Sequence, residues 1–196
     1  MADTPHDPFP REQAWAIVTE HIQGDGLRKH MLAVEAAMCA YAPRYGGDPD
    51  AWGVVGLLHD FDWEIHPELP VHPIQGSQIL RERGVPEWMV QAILSHADFT
   101  DVPCDTPLRK ALYAVDELTG LIMATALVRP TKSIYDVDVR SVRKRWKDKA
   151  FARAVNREDI ERGAVDLGVP LDEHIQIVLT AMQGIAPALG VEGERP

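Results

Sequence analysis

Residues 108–128 read LRKALYAVDELTGLIMATALV, an almost continuous apolar run that is long enough for about six helical turns. Pro130 ends the run, and a polar stretch with prolines, residues 98–107, precedes it. Asp116 and Glu117 lie inside the run, and carboxylates are costly at that depth in a lipid bilayer. We therefore predict a core helix of a globular protein and no membrane span.

Apolar residues recur at three- and four-residue spacing in much of the remaining chain, as on the buried face of a helix. The sequence has no alternating strand pattern of useful length and no internal repeat. With 45% hydrophobic and 26% charged residues, the 196-residue chain has the composition of an ordinary globular protein. These features predict an all-α fold. The other helices are expected near residues 11–22, 27–41, 48–60, 73–83, 86–96, 139–154, from 157 onwards and 171–186.

Cysteine usage and the start of the chain bear on the compartment. Cys39 and Cys104 are too few for a disulfide framework, and the first five residues lack the basic and then apolar run of a signal peptide. We therefore expect a cytoplasmic protein with reduced thiols.

Charge is distributed unevenly along the chain. The formal net charge is -10, but residues 129–157 carry ten basic and three acidic side chains, so this segment has a net charge of +7 and the rest of the chain -17. An acidic body argues against binding of duplex nucleic acid, which depends on many phosphate contacts. The basic segment is either a solvated helix face or a binding site for a small anionic ligand. The residues considered for binding substrate phosphates are Lys132, Arg143, Lys144 and Lys147.

Asp116 is the most informative single residue, because almost every face of its helix is apolar. An ionised carboxylate buried there is costly unless a basic side chain, a helix terminus or a metal ion compensates its charge. A structural acid paired with an arginine is the alternative to a metal ligand. Glu117 points about 100° away around the helix and is the acid expected to face water.

Several histidines are placed where they can meet Asp116. The pair His59-Asp60 closes an apolar run that is predicted to end in the core, His30 flanks the buried stripe of its helix, and His72 and His96 lie near helix ends. Each histidine alone is more often a packed core residue than a ligand, but imidazoles and carboxylates that converge from several helices are how helical bundles build metal sites. A set without thiolates suits Fe, Mn, Co, Ni or Zn. His21, His66 and His174 are expected to be surface or packing residues.

The order of these residues resembles a known family. Over residues 27–129 the chain is similar to the HD superfamily of metal-dependent hydrolases, whose pattern is a histidine, a His-Asp pair at the end of a core helix and a distant helical aspartate. Residues 71–76 (VHPIQG) and 93–96 (ILSH) look like the extra histidines of its two-metal branch, which includes diadenosine tetraphosphate hydrolases. The chain differs from that branch between Asp60 and His72 and in its C-terminal extension. The whole chain is most similar to bacterial members known only as predicted HD hydrolases.

The resemblance implies an HD-domain helical bundle with a helical C-terminal extension and two divalent ions as cofactors. It implies that a first ion is held by His30, His59, Asp60 and Asp116. A second ion would be held by His72, His96 and the bridging Asp60. The implied reaction is hydrolysis of a small phosphate ester or nucleotide by a metal-activated water, with His59, Asp60 and Asp116 as the catalytic residues.

The chain is accordingly divided into four parts. Residues 11–130 are expected to form the HD-type metal-binding helical domain, and residues 131–187 a helical extension packed on the same domain. The tails, residues 1–10 and 188–196, are expected to fray. The sequence makes no prediction of the oligomeric state.

Two other functions stay open at this point. Some relatives in the superfamily bind two iron ions and oxidise their substrates with O₂, and the ligand set does not distinguish them. A non-catalytic sensing or interaction module with the same fold is the other alternative, although such modules commonly lose ligands. Asp62, Glu64 and Glu117 are candidates for supporting a ligand or protonating the leaving group, or are solvated acids.

Overall fold

The computed structural model describes residues 9–193 of the chain. Within this range the fold is all-α, with ten α-helices and no β-strand, which confirms the predicted fold class. The helices are α1 Arg11–His21, α2 Asp25–Tyr41, α3 Pro49–Leu58, α4 Val71–Glu82, α5 Glu87–Leu94, α6 Pro107–Leu127, α7 Val139–Trp146, α8 Arg157–Asp166, α9 Leu171–Gly184 and α10 Ala186–Leu189.

Helix α3 runs through the centre of the bundle, packed on α2. All of its residues from Ala51 to Leu58 are buried. A Cβ atom at Gly56 would lie 3.0 Å from the Val34 carbonyl oxygen and 2.9 Å from Cγ of Met38, so glycine is needed for this close approach of the two helices. The packing therefore fixes the C-terminal end of α3, which leads directly into the His-Asp pair.

Helix α6 is the long helix predicted from the apolar run. It begins at Pro107, where the side chain of Thr106 accepts a hydrogen bond from the Arg109 backbone N–H, and it ends at Leu127. Its buried face packs on α2, α8 and α9. No helix within residues 9–193 is both long enough and apolar enough to cross a membrane.

The C-terminal helices are packed on the rest of the bundle. In α9, the buried His174 lies with Nδ1 2.5 Å from the Tyr41 hydroxyl of α2 and Nε2 2.9 Å from the Ala114 carbonyl oxygen of α6. His174 is thus one of the packing residues predicted from the sequence. These hydrogen bonds join α9 to both central helices of the N-terminal part.

Parts of the two expected tails are ordered. Leu189 and Val191 are buried, and the Val191 carbonyl accepts a hydrogen bond of 2.8 Å from the Ile134 N–H. Phe9 is also buried. The expectation of fraying is therefore wrong for residues 188–193 and for Phe9, because apolar side chains at both ends reach the core. Residues 1–8 and 194–196 lie outside the described range.

The basic helix expected over residues 139–154 is shorter than predicted. Helix α7 ends at Trp146, and residues 147–156 form a series of turns, with Ala152 in the left-handed region at φ +44°. The Arg157 guanidinium donates hydrogen bonds to the carbonyls of Asp148, Phe151, Ala152 and Val155. These bonds satisfy carbonyl groups that a helix would have paired internally, so the turns replace the helix.

We expect the buried His174 to make the stability of the fold sensitive to mild acid. Burial lowers its pKa to about 4, against 6.5 for the unfolded group. Between these two pH values the unfolded chain binds a proton on His174 that the folded chain does not bind. The contribution of neutral His174 to the free energy of unfolding is therefore complete above pH 6.5 and is lost as the pH falls toward 4. The free energy of unfolding should drop by about 2 kcal/mol between pH 7.5 and 5 on account of this group.

Urea denaturation of the wild type and of His174→Gln at both pH values checks this prediction. The stability difference between the two proteins should shrink at pH 5, because glutamine does not titrate. A difference that stays constant with pH would contradict it.

Candidate metal centre

The six residues predicted as metal ligands come together at one place in the bundle. His30 lies on α2, His59 and Asp60 directly follow α3, and Asp116 lies in the middle of α6. His72 is the second residue of α4, where the backbone is extended (ψ 138°), and His96 lies two residues after α5. Their ligand atoms form two groups that share Asp60, and within each group all these atoms lie within 4.8 Å of one another.

The first group consists of His30, His59, Asp60 and Asp116. Asp116 Oδ1 lies 3.1 Å from His30 Nε2 and 3.4 Å from His59 Nε2. His59 Nε2 is also 3.5 Å from Asp60 Oδ2. Three helices therefore present two imidazole nitrogens and two carboxylates to one point.

The second group consists of Asp60, His72 and His96. The other oxygen of Asp60, Oδ1, lies 3.2 Å from His72 Nε2 and 3.4 Å from His96 Nε2. The two imidazole Nε2 atoms are 3.3 Å apart. The carboxylate of Asp60 thus offers one oxygen to each group, which is the arrangement of a bridging ligand.

Hydrogen bonds of the Nδ1 atoms determine which ring nitrogen of each histidine can bind a metal ion. His59 Nδ1 lies 2.8 Å from the Gly56 carbonyl oxygen, and His96 Nδ1 lies 2.5 Å from that of Ile93. Because a carbonyl can only accept, each Nδ1 carries the proton, and the Nε2 lone pair of the neutral ring faces the centre.

The remaining two histidines are oriented by side chains. His30 Nδ1 is 3.2 Å from the Thr119 hydroxyl, which itself donates to the Asp116 carbonyl at 2.8 Å. The hydroxyl can therefore accept from the His30 N–H. His72 Nδ1 donates to the buried carboxylate of Asp62 at 2.8 Å. In all four histidines the Nε2 atom is left for the centre.

Asp62 is held in place by the backbone of α4. Its Oδ2 accepts a hydrogen bond of 3.1 Å from the Gly76 N–H. A Cβ atom at Gly76 would lie 2.4 Å from the Asp62 carboxylate, so only glycine fits there. Of the three acids considered from the sequence, Asp62 thus supports a ligand. Glu64 instead accepts from the backbone N–H groups of Gln23 and Gly24, ahead of α2.

The supporting role of Asp62 gives a prediction about the second group alone. Asp62→Asn removes the negative charge that orients and polarises His72, and losses of this kind typically weaken metal affinity by about 10- to 100-fold. A Mn²⁺ titration should show one binding step weakened by about this factor and the other unchanged. Equal weakening of both steps, or of neither, would contradict the assignment.

The donor set fits a divalent ion at each group. His59 Nε2 is fully buried and has no hydrogen-bond partner within residues 9–193. His72 Nε2 and His96 Nε2 lie 3.3 Å apart beside Asp60 Oδ1, and the Nδ1 atom of each ring faces a hydrogen-bond acceptor on the far side. A cation there would be bound by two imidazoles and a carboxylate, a donor set that suits transition metals.

The electrostatics of the cluster also favour a bound cation. Burial would lower the pKa of His72, but the carboxylates of Asp60 and Asp62 outweigh it and raise this pKa to about 9. For His59, Asp60 and Asp116 likewise overcome the effect of burial and raise the pKa. The histidines hold the pKa of Asp60 well below its usual range, in spite of its burial. Metal binding would therefore displace protons from this site.

A cavity of about 470 Å³ opens onto the two groups. Its lining includes the partly exposed apolar side chains of Trp63, Leu69 and Phe99. The ring of Trp63 meets that of His72 edge-on, with 4.9 Å between the centroids. Glu117 also lines the cavity, and its pKa is raised to about 7 by burial and by the neighbouring Asp116. The cavity is large enough for a small substrate.

The four basic residues predicted to bind substrate phosphates are not among the described residues that line this cavity. Arg143, Lys144 and Lys147 line a separate cavity of about 500 Å³ beside α7. Lys132 is exposed in the turn that follows α6. Arg143 and Lys144 lie on α7, and Lys147 follows directly after it.

Two features of the site were missed in the sequence. Thr119 orients His30, and its position three residues after Asp116 in an apolar helix is a signal that could have indicated this role. Ala154 and Val155 form part of the cavity wall. No local signal indicates that contact, because it depends on how the turn region docks on α6.

Comparison with known families agrees with the site. The model of the HD domain family matches residues 27–121, a range that contains all six ligand candidates. Over this range the chain matches the HD superfamily, which confirms the predicted resemblance. No curated protein and no solved structure matches the chain.

Proposed function

We propose that this protein is a metal-dependent phosphohydrolase that holds two divalent ions at the paired groups. The observation that carries the proposal is the position of Asp60, whose two carboxylate oxygens each face a different set of imidazole nitrogens. The HD domain and the His/Asp clusters support a metal-dependent hydrolase. Two ions so held would activate a water molecule and bind the phosphoryl oxygens of the substrate.

The residues of the chain have separate tasks in this proposal. His30, His59, Asp60 and Asp116 would hold one ion, and Asp60, His72 and His96 the other. In the hydrolysis, the water oxygen forms a bond to phosphorus, the P–O bond to the alcohol breaks, and the alcohol oxygen takes up a proton. The residues that fix the ligands beforehand, such as Asp62, reduce the reorganisation that this step requires.

The cavity supports a small phosphate ester as the substrate class. Its volume of about 470 Å³ accommodates a nucleotide-sized molecule. The apolar wall of Trp63, Leu69 and Phe99 suits a leaving group with an apolar or planar part, such as a nucleoside. The acidic net charge supports the further proposal that duplex nucleic acid is not a partner. A cytoplasmic location and substrate contacts of Lys132, Arg143, Lys144 and Lys147 stay predictions.

Phosphate release from a panel of phosphate esters and nucleotides, with Mn²⁺ or Fe²⁺ added, tests this function. We expect EDTA to abolish the activity and either ion to restore it. Oxygen uptake with substrate oxidation in the Fe²⁺-loaded protein, and no phosphate release, would instead indicate an oxygenase. Full metal loading with neither activity would indicate a non-catalytic module.

A further inference from the structure

The turn region of residues 147–156 is built against the metal cavity. The Asn156 N–H donates to Glu117 Oε2 at 3.2 Å, next to Asp116 on α6. Val155 packs over Gly120, one turn further along, where a Cβ atom would lie 3.6 Å from its Cγ2. The Arg157 guanidinium holds the turns together through hydrogen bonds to the carbonyls of Val155 and Phe151. The position of this segment relative to the metal ligands is therefore set by α6.

A second cavity, of about 530 Å³, lies on the other side of this segment. Ala154 and Val155 line both cavities, so the two are neighbours that share a wall. The second cavity is lined by Lys149 and Arg153, which are exposed and make no ion pair with any residue that the structure describes. Their two positive charges are the ones available to a ligand there.

Two of the other three charged residues of this cavity are already engaged in hydrogen bonds. The guanidinium of Arg157 is used by backbone carbonyls, and Glu161 accepts a hydrogen bond of 2.8 Å from Trp146 Nε1. Glu158 is the remaining acid of the lining. Lys149 and Arg153 outweigh this single negative charge, so the cavity is positively charged. It lies beside the ligands of the metal ions that are proposed to bind the phosphate of the substrate.

We propose that Lys149 and Arg153 bind a second anionic group of the substrate, carried on the leaving alcohol of the phosphate ester. The inference rests on the proposed hydrolase function and specifies its substrate as a bisphosphorylated compound. The metal cavity cannot itself hold that group, because the residues that line it besides the metal ligands are apolar or glycine, apart from the acid Glu117. The basic cavity next to it can bind this anionic group through Lys149 and Arg153.

Binding of two related nucleotides tests the proposal. AMP carries only the phosphate for the metal centre, whereas adenosine 3′,5′-bisphosphate adds a second phosphate. Isothermal titration of the Mn²⁺-loaded protein should show that wild type binds the bisphosphate at least about tenfold more tightly than AMP. Lys149→Gln and Arg153→Gln should each lose most of this preference, with AMP binding changed less than threefold.

Arg140→Gln is the matched control, since Arg140 is another exposed arginine but lines only the separate cavity beside α7. It should keep the preference for the bisphosphate. Wild type that binds both nucleotides equally or not at all, or an equal loss in Arg140→Gln, would overturn the proposal. Because binding is measured, failure of the hydrolase function shows separately, as absence of phosphate release from either nucleotide.

Discussion

Replacing Asp60 by alanine should leave the protein with less than one metal ion per chain and lower kcat/KM on the order of a thousandfold or more. Asp60 gives one oxygen to each ligand group, so its loss takes a ligand from both ions at once. Asp116 is then the one carboxylate left in the two ligand groups, and with neutral imidazoles it cannot balance the charge of two divalent cations. Elemental analysis and phosphate release, measured on the same preparation, check the two expectations together.

Glu64→Gln is the control for Asp60→Ala. Glu64 lies four residues later and also carries a carboxylate, but it accepts hydrogen bonds from the Gln23 and Gly24 backbone and does not belong to either ligand group. This variant should keep both ions and its activity. Asp60→Ala protein that still binds two ions would show that Asp60 does not bridge them.

Replacing His72 or His96 by alanine should lower the metal content from about two ions per chain to about one. His30, His59, Asp60 and Asp116 would still hold the first ion, so the fold and one binding step survive. Activity should fall much further than metal content, by on the order of a hundredfold or more, because one ion alone must activate water and stabilise the leaving oxygen.

His66→Ala provides the comparison for these two variants, since His66 lies in the loop between α3 and α4 and belongs to neither ligand group. It should bind two ions and retain activity. Wild type that binds a single ion even in excess Mn²⁺ or Fe²⁺, together with full activity of His72→Ala and His96→Ala, would return both histidines to structural roles.

The long helix and the two ligand groups were the parts most readily predicted from sequence. Helix α6 was placed to within one residue at each end, because Thr106, Pro107 and Pro130 mark its limits and its apolar faces require burial. The ligands of the cluster follow the order of the HD pattern, in which each residue lies at or near the end of a helix or on a buried face.

The errors lie where long-range contacts decide the structure. The end of α7 depends on Arg157, whose guanidinium binds carbonyls up to nine residues earlier, and periodicity does not show such a contact. Residues 188–193 are ordered because Val191 pairs with Ile134, more than fifty residues away.

The separate roles of Asp60 and Asp62 could be assigned only from the structure. The sequence presents Asp60 and Asp62 as two acids of one loop, and only the fold shows that the first faces both ligand groups and the second holds His72 from behind. Which acids belong to the site can thus be predicted from the sequence. The role of each carboxylate depends on which backbone and side-chain donors the neighbouring helices bring to it.

Anomalous X-ray diffraction from crystals of the Mn²⁺-loaded protein tests the central claim most directly. The account predicts two peaks, one between Asp60 Oδ2, His30, His59 and Asp116 and the other between Asp60 Oδ1, His72 and His96. A single peak at full Mn²⁺ loading, or two peaks that do not share the Asp60 carboxylate, would contradict it.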